Sequence, residues 1–299
     1  MAAREVEHRP IGVFDSGVGG LSVLQALQAE LPHERFVYVG DQGHAPYGER
    51  DDAHVLARSR AITDYLLLHH SIKALVVACN TATAAAIWHL RAAYPTLPMV
   101  GVEPALKPAA TQTRTGVVAV MATRGTLQSD KFKGLLSGLA GTTQFRLQAC
   151  DGLADAIERN DVERIQALCV TYTQALGPFG TADGQADVLV LGCTHYPWID
   201  PLLESLVGAA IPRIDAGAPV AKQTRRVLQD HGLSASTDTH ASPLFTPLAS
   251  KSVGVHDASP ATMTTCASTL FCSTGDPSAL QNAVKRWLHC NVEVTPISV

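Results

Sequence analysis

Short apolar runs recur along the chain, separated by stretches whose apolar positions follow the helical spacing. IGVFD (11–15), FVYVGD (36–41), ALVVACN (74–80), PMVGV (98–102), GVVAVMAT (116–123), FRLQAC (145–150) and DVLVLGC (187–193) read as strands. LSVLQALQAEL, between the first two, reads as a helix. Brief strands alternating with helices predict an α/β fold with mainly parallel sheets flanked by helices.

The runs also echo one another in order. GVVAVMATRG at 116 echoes IGVFDSGVGG at 11, FRLQACD at 145 echoes FVYVGD at 36, and LVLGCTH at 189 echoes LVVACNT at 75. Offsets of 105, 109 and 114 keep the order, which predicts two similar α/β domains with a cleft between them. The first takes residues 1–102 and 215–299, the second 103–214. Residues 233–268 are rich in Ser, Thr, Ala and Pro without periodicity and predict a long surface loop. TLFCSTGDPSALQNAVKRWL then predicts a strand, a turn and a helix opened by Asp276-Pro277.

Composition agrees with a packed, two-domain protein. Of 299 residues, 46% are hydrophobic and 17% charged, which excludes a disordered chain. Twenty-three Lys and Arg against 27 Asp and Glu give a net charge of −4 without a basic block, so no nucleic-acid partner is expected. The opening MAAREVEHRP has no apolar core, and no run approaches the roughly 18 apolar residues of a membrane span. A soluble, cytoplasmic protein is the expectation.

Seven cysteines, at 79, 150, 169, 193, 266, 272 and 290, form an odd set with no C-x-x-C pair. That argues against a disulfide framework or structural zinc. Cys150, Cys169, Cys266 and Cys272 read as small core residues, and Cys290 carries no signal.

Cys79 and Cys193 are different as a pair. Open α/β sheets bind ligands beyond the carboxyl ends of their strands. Asp15-Ser16, Asp41 to Gly48, Cys79-Asn80-Thr81 and Cys193-Thr194-His195 all fall there. Each cysteine alone would pass for a core residue, and Tyr47 for a packed one. DSGVGG matches neither a phosphate-binding lysine loop nor G-x-G-x-x-G, so a helix cap with permissive glycines is its plain reading. Two cysteines at matching turns, each beside Asn, Thr or His, point to chemistry instead.

A thiol where a strand hands over to a helix meets free amide N–H groups and the positive helix end, which lower its pKa. The same amides, with Asn80, Thr81 and Thr194, suit a carboxylate. Two such turns facing each other put one sulfur on each face of a small acid. Inverting a carbon that bears hydrogen needs that arrangement: a base on one side and an acid on the other. Asp15 and His195 are placed to tune the two thiols.

IGVFDSGVGGLSVL, PYG (46–48), ACNTATA (78–84), GVEPALKPA (101–109), LGCTHYP (191–197) and STGDP (273–277) together resemble the cofactor-independent aspartate/glutamate racemase family, and within it the glutamate racemases. The resemblance covers nearly the whole chain outside 233–268. It implies two similar α/β domains clasping substrate and interconversion of L- and D-glutamate to supply peptidoglycan. It implies Cys79 and Cys193 as catalytic thiols, Cys79 acting on D-glutamate and Cys193 on L-glutamate. Asp15, Ser16, Tyr47, Gly48, Asn80, Thr81, Thr194 and His195 match substrate-contacting positions, and Glu158 matches a supporting glutamate. No pyridoxal phosphate and no metal are implied. A homodimer and regulation by a peptidoglycan precursor belong to the same expectation. Asp151 stands where proline is expected, and 233–268 is longer than usual.

Alternatives stay open on the residues themselves. An aspartate or broad-specificity racemase would share both cysteine turns. A cysteine-nucleophile hydrolase would need one thiol with a His partner. A non-catalytic carboxylate-binding module would tolerate loss of either cysteine.

Overall fold

Two parallel sheets carry the chain, and their strands occupy equivalent places. The computed structural model describes residues 6–139, 141, 143–235 and 266–299. The first sheet takes β1 (Ile11–Asp15), β2 (Phe36–Gly40), β3 (Ala74–Val77), β4 (Met99–Gly101), β9 (Thr269–Ser273) and β10 (Val294–Pro296). The second takes β5 (Val117–Ala122), β6 (Gln144–Ala149), β7 (Val188–Gly192) and β8 (Arg213–Ile214). Their orders are β10-β9-β2-β1-β3-β4 and β6-β5-β7-β8. The segment β2-β1-β3-β4 is thus repeated as β6-β5-β7-β8, the spatial counterpart of the sequence echo.

β1, β2, β3, β5 and β7 are buried along their whole length, which is why they read as unbroken apolar runs. Alternate side chains serve opposite faces. Ile11 and Val13 join Leu21, Leu24 and Leu27 of the helix Leu21–Glu30, Val220 and Leu228 of the helix Gly217–Asp230, and Val284 of the helix Pro277–Trp287. Phe14 turns the other way, to Ile62 and Leu66 of the helix Asp52–His70 and Ile87 of the helix Asn80–Ala93. β6 is an edge strand and stays partly exposed. The closing strand, turn and helix form as expected, with Asp276 capping the helix through Ser278 N at 2.9 Å.

Two expectations need amending or setting aside, and two strands come in addition to those read from the sequence. β8 and β10, of two and three residues, are too short to leave an apolar pattern. Cys266 is not a free core thiol: it is bonded to Cys290, 24 residues on, so an odd cysteine count did not preclude one bridge. Most of the loop expected at 233–268 lies outside the described residues. Among the described residues no helix is long and apolar enough to cross a membrane.

The sheets meet at the carboxyl ends of their strands. Trp198, from the turn after β7, stacks on Trp287 with ring centroids 4.6 Å apart and planes 5° from parallel. Trp287 packs against the cores of both sheets.

Candidate active site

Strand register makes the two cysteine turns equivalent. Phe14 pairs with Val77, two residues before Cys79, and Met121 pairs with Leu191, two residues before Cys193. Each turn therefore leaves the strand neighbouring the first strand of its sheet. The same register sets Thr123 opposite Ser16, a correspondence that the offset of 105 had missed by two residues.

The local settings differ. Cys79 caps the 14-residue helix Asn80–Ala93, its sulfur accepting from Ala82 N at 3.5 Å. Cys193 is followed by a short 3-10 turn, Tyr196–Ile199, so the helix-end argument applies to Cys79 alone. Even there it does not win. Burial pushes the Cys79 thiol well up, and the Asp15 charge adds to this against the Ala82 amide. The Cys193 charge raises it further.

Asp15 is fully buried at the end of β1. Its Oδ1 accepts from Gly17 N at 2.8 Å and its Oδ2 from Thr194 Oγ1 at 3.2 Å. Burial raises its pKa, partly offset by His195. Ser16 Oγ lies 3.9 Å from Cys79 Sγ. On the other side His195 Nδ1 is 3.5 Å from Cys193 Sγ, and its Nε2 is 2.6 Å from Glu158 Oε1. Burial opposes the imidazolium, but Cys193 and Glu158 outweigh it and hold the His195 pKa well above its ordinary value.

Glu158 also accepts from Val18 N at 2.7 Å, across the junction from the first sheet's loop. The same closeness explains two of the three glycines of DSGVGG. None of Gly17, Gly19 and Gly20 has a positive φ, so conformational freedom is not their role. A Cβ on Gly17 would run into the Glu158 carboxylate and one on Gly19 into the His195 ring. The loop is stripped of side chains so that the second half can approach.

Asn80 and Thr81 begin their helix, both buried. Among the described residues Asn80 Nδ2 has no hydrogen-bond partner, which leaves a buried donor free for a ligand. Thr81 Oγ1 lies 2.9 Å from Thr123 Oγ1 of the second half. Gly48 packs on Thr123, where a Cβ would come within 2.8 Å. Tyr47 is buried beside Cys79 in the first sheet's core, with its hydroxyl donated to Asp41. Asp151, the departure from proline, pairs with Arg124, while the adjoining Gly152 N donates to Glu49 Oε1 at 3.1 Å.

All the residues singled out by sequence thus gather where the sheets meet. Cys79 and Cys193 are only 5% and 6% exposed, so the halves stand closed. A void of about 10 Å³ borders Asn80, Cys193 and Thr194, room for about one water. Asp15, Glu158 and His195 each bring one ligand atom within 4.8 Å of the others, a grouping able to hold a cation. Those atoms are already engaged by Gly17, Thr194, Val18 and one another.

Paired cysteine turns at the junction of two like parallel sheets define a class of two-domain α/β proteins suited to acid–base work on both faces of a small molecule. The chain belongs to the Asp/Glu/Hydantoin racemase family, which it matches over residues 12–224. It is 49% identical over 234 residues to the glutamate racemase of Ectopseudomonas mendocina, covering 78% of this chain and 87% of that one. To the glutamate racemase of Pseudomonas aeruginosa it is 48% identical over 240 residues, covering 80% and 89%. Among solved structures it resembles glutamate racemase isoform RacE1 of Bacillus anthracis, with TM-score 0.76, 29% identity and 98% of each chain covered. The Escherichia coli glutamate racemase, solved with L-glutamate and the activator UDP-MurNAc-Ala, gives TM-score 0.73 and 26% identity over 96% of this chain and 97% of that one.

Proposed function

We propose that this protein interconverts L- and D-glutamate, with Cys79 and Cys193 as the two proton-transferring groups. The observation that carries the reading is the register equivalence of the two thiols, one per sheet, each with its own ionisable neighbour. One thiolate removes the α-proton while the opposite thiol returns one to the other face, so the product is the mirror image and the pair is left with its protons exchanged. Cys79 works on D-glutamate and Cys193 on L-glutamate, as the family resemblance implies.

The substrate carboxylates are held by the amides that open the helix Asn80–Ala93, by Asn80 Nδ2 and Thr81, and by the Ser16, Tyr47-Gly48 and Thr194 segments. Asp15 and His195, backed by Glu158, set the charge around the sulfurs. Residues 1–102 with 215–299 and residues 103–214 act as the two domains, which part to admit substrate and close over it. The D-glutamate goes to peptidoglycan. Self-association as a homodimer and control by a wall precursor, the latter known of the E. coli relative from its activator complex, complete the proposal.

Circular dichroism of each glutamate enantiomer tests it. Dialysed enzyme, in chelator and without added pyridoxal phosphate, should drive either enantiomer to zero ellipticity, and neither Cys79→Ser nor Cys193→Ser should. Racemisation of aspartate but not glutamate would instead favour an aspartate racemase.

A further inference from the structure

Asp41, at the end of β2, carries a buried anion that the racemisation chemistry does not use. Its main-chain N–H donates to Asp15 O at 3.0 Å, tying it to the strand end that bears the site. Its carboxylate is closed to solvent and crowded with donors. Oδ2 accepts from Tyr47 Oη at 2.5 Å and Arg58 Nε at 3.0 Å. Oδ1 accepts from Arg58 Nη2 at 2.9 Å and Thr274 Oγ1 at 2.6 Å, and lies 3.1 Å from His44 Nδ1. Burial alone would raise this carboxyl, yet Arg58, Thr274 and Tyr47 hold it below the usual range. It is a permanent charge with its lone pairs spoken for.

The STGDP turn buckles the same loop. Thr274 N donates to Gly40 O at 3.1 Å, and Thr274 Oγ1 accepts from Gly43 N at 3.2 Å. Ser273 Oγ donates to Gln42 Oε1 at 2.7 Å. The chain from 41 to 48 is therefore pinned at its start by STGDP and at Tyr47 by Asp41.

Tyr47's only hydroxyl proton is committed to Asp41, so its side chain is an anchor rather than a hand for substrate. What remains at the junction is the main chain of Tyr47 and Gly48, and Gly48 lies against Thr123, whose hydroxyl meets that of Thr81. We propose that Asp41 is a positioning residue: with Arg58 and Thr274 it holds the Tyr47 side chain, and so sets the Tyr47-Gly48 main chain at the height where a substrate carboxylate is received. The inference rests on the reading of this junction as the substrate site. It also gives STGDP, otherwise remote from the sulfurs, a part in binding.

The hydrogen bonds of this network go to neither thiol, so loosening it should weaken binding rather than the chemical step. Asp41→Asn, Tyr47→Phe, Thr274→Val and Thr274→Ser are compared with wild type by kcat and KM for both enantiomers, alongside thermal melts. Asp41→Asn and Tyr47→Phe should raise KM about tenfold, the scale of one charge-assisted hydrogen bond, with kcat within about threefold. Thr274→Val should raise KM less, and Thr274→Ser, which keeps the hydroxyl, should restore it. Lower melting temperatures with unchanged KM in every soluble variant would reduce the cluster to a structural prop and overturn the proposal. If Asp41→Asn does not fold, the Thr274 pair decides alone: equal KM for Val and Ser overturns it. A wild type that turns over neither enantiomer removes the substrate reading, and this proposal with it. A wild type that turns over both while the variants match it in KM removes only the positioning role.

Discussion

His195 Nε2 lies 2.6 Å from Glu158 Oε1, with both side chains nearly closed to solvent. The contact fixes the ring so that Nδ1 faces Cys193 Sγ at 3.5 Å, and against the pull of burial Cys193 first and Glu158 second hold the His195 pKa well above the ordinary histidine value.

Glu158→Gln should therefore move a titration. A group whose pKa rises on folding contributes stability that is complete below its unfolded value, here 6.5, and lost as pH climbs through the folded value. Wild type should exceed Glu158→Gln in urea-unfolding free energy most below pH 6.5, with the gap closing in alkaline buffer. The alkaline limb of L-glutamate turnover should shift to lower pH in the variant. Superimposable profiles would mean that the pair does not tune Cys193.

The two faces can be read separately with a 3-chloroglutamate, in which removal of the α-proton expels chloride from the β-carbon. Cys79→Ser and Cys193→Ser should each lose racemisation by several orders of magnitude, because a serine hydroxyl is far less acidic than a thiol. Each should still release chloride from one enantiomer, and the enantiomer should differ between them. Chloride released from the same enantiomer by both variants would show that the thiols do not divide the faces.

Gly19→Ala places a methyl group where the His195 ring sits. The ring must swing from Cys193 or the halves must stay apart, and a displacement of about 1 Å at a reacting group costs on the order of a hundredfold in rate. The fold should survive, since Gly19 has an ordinary φ. Wild-type kcat in this variant would show that His195 has slack.

The Cys266–Cys290 bridge closes a loop of 24 residues. Its loss by Cys290→Ser should cost about 3 kcal/mol of stability by the loop-closure argument, measured as a fall in denaturation midpoint that a thiol reductant reproduces in wild type. Racemisation below the new midpoint should persist, because neither cysteine reaches the site.

How much of this was legible beforehand depended on whether a signal was local. β1 and β7 announced themselves because a strand covered on both faces must be apolar throughout. The cysteine turns were legible because the strand ends located them and their neighbours repeated. DSGVGG was legible as unusual but not for its reason: Gly17 and Gly19 answer a shortage of space created by Glu158 and His195, far away in sequence. Glu158 itself came from the family resemblance alone. Thr123 was missed because the echo was counted at an offset of 105, whereas strand pairing gives 107. The fall of the Cys79 pKa expected from the helix end failed because burial is the stronger effect. The disulfide left no local mark at all.

The Trp198–Trp287 stack has a use that lies outside chemistry. The chain holds three tryptophans, and the third, Trp88, is already 67% exposed. Its emission is that of an indole in water whatever the halves do. The stacked pair straddles the junction, so parting the halves must hydrate both rings and shift their emission to longer wavelength. The protein thus carries its own optical gauge of opening, readable by stopped-flow fluorescence as substrate arrives, with no dye attached.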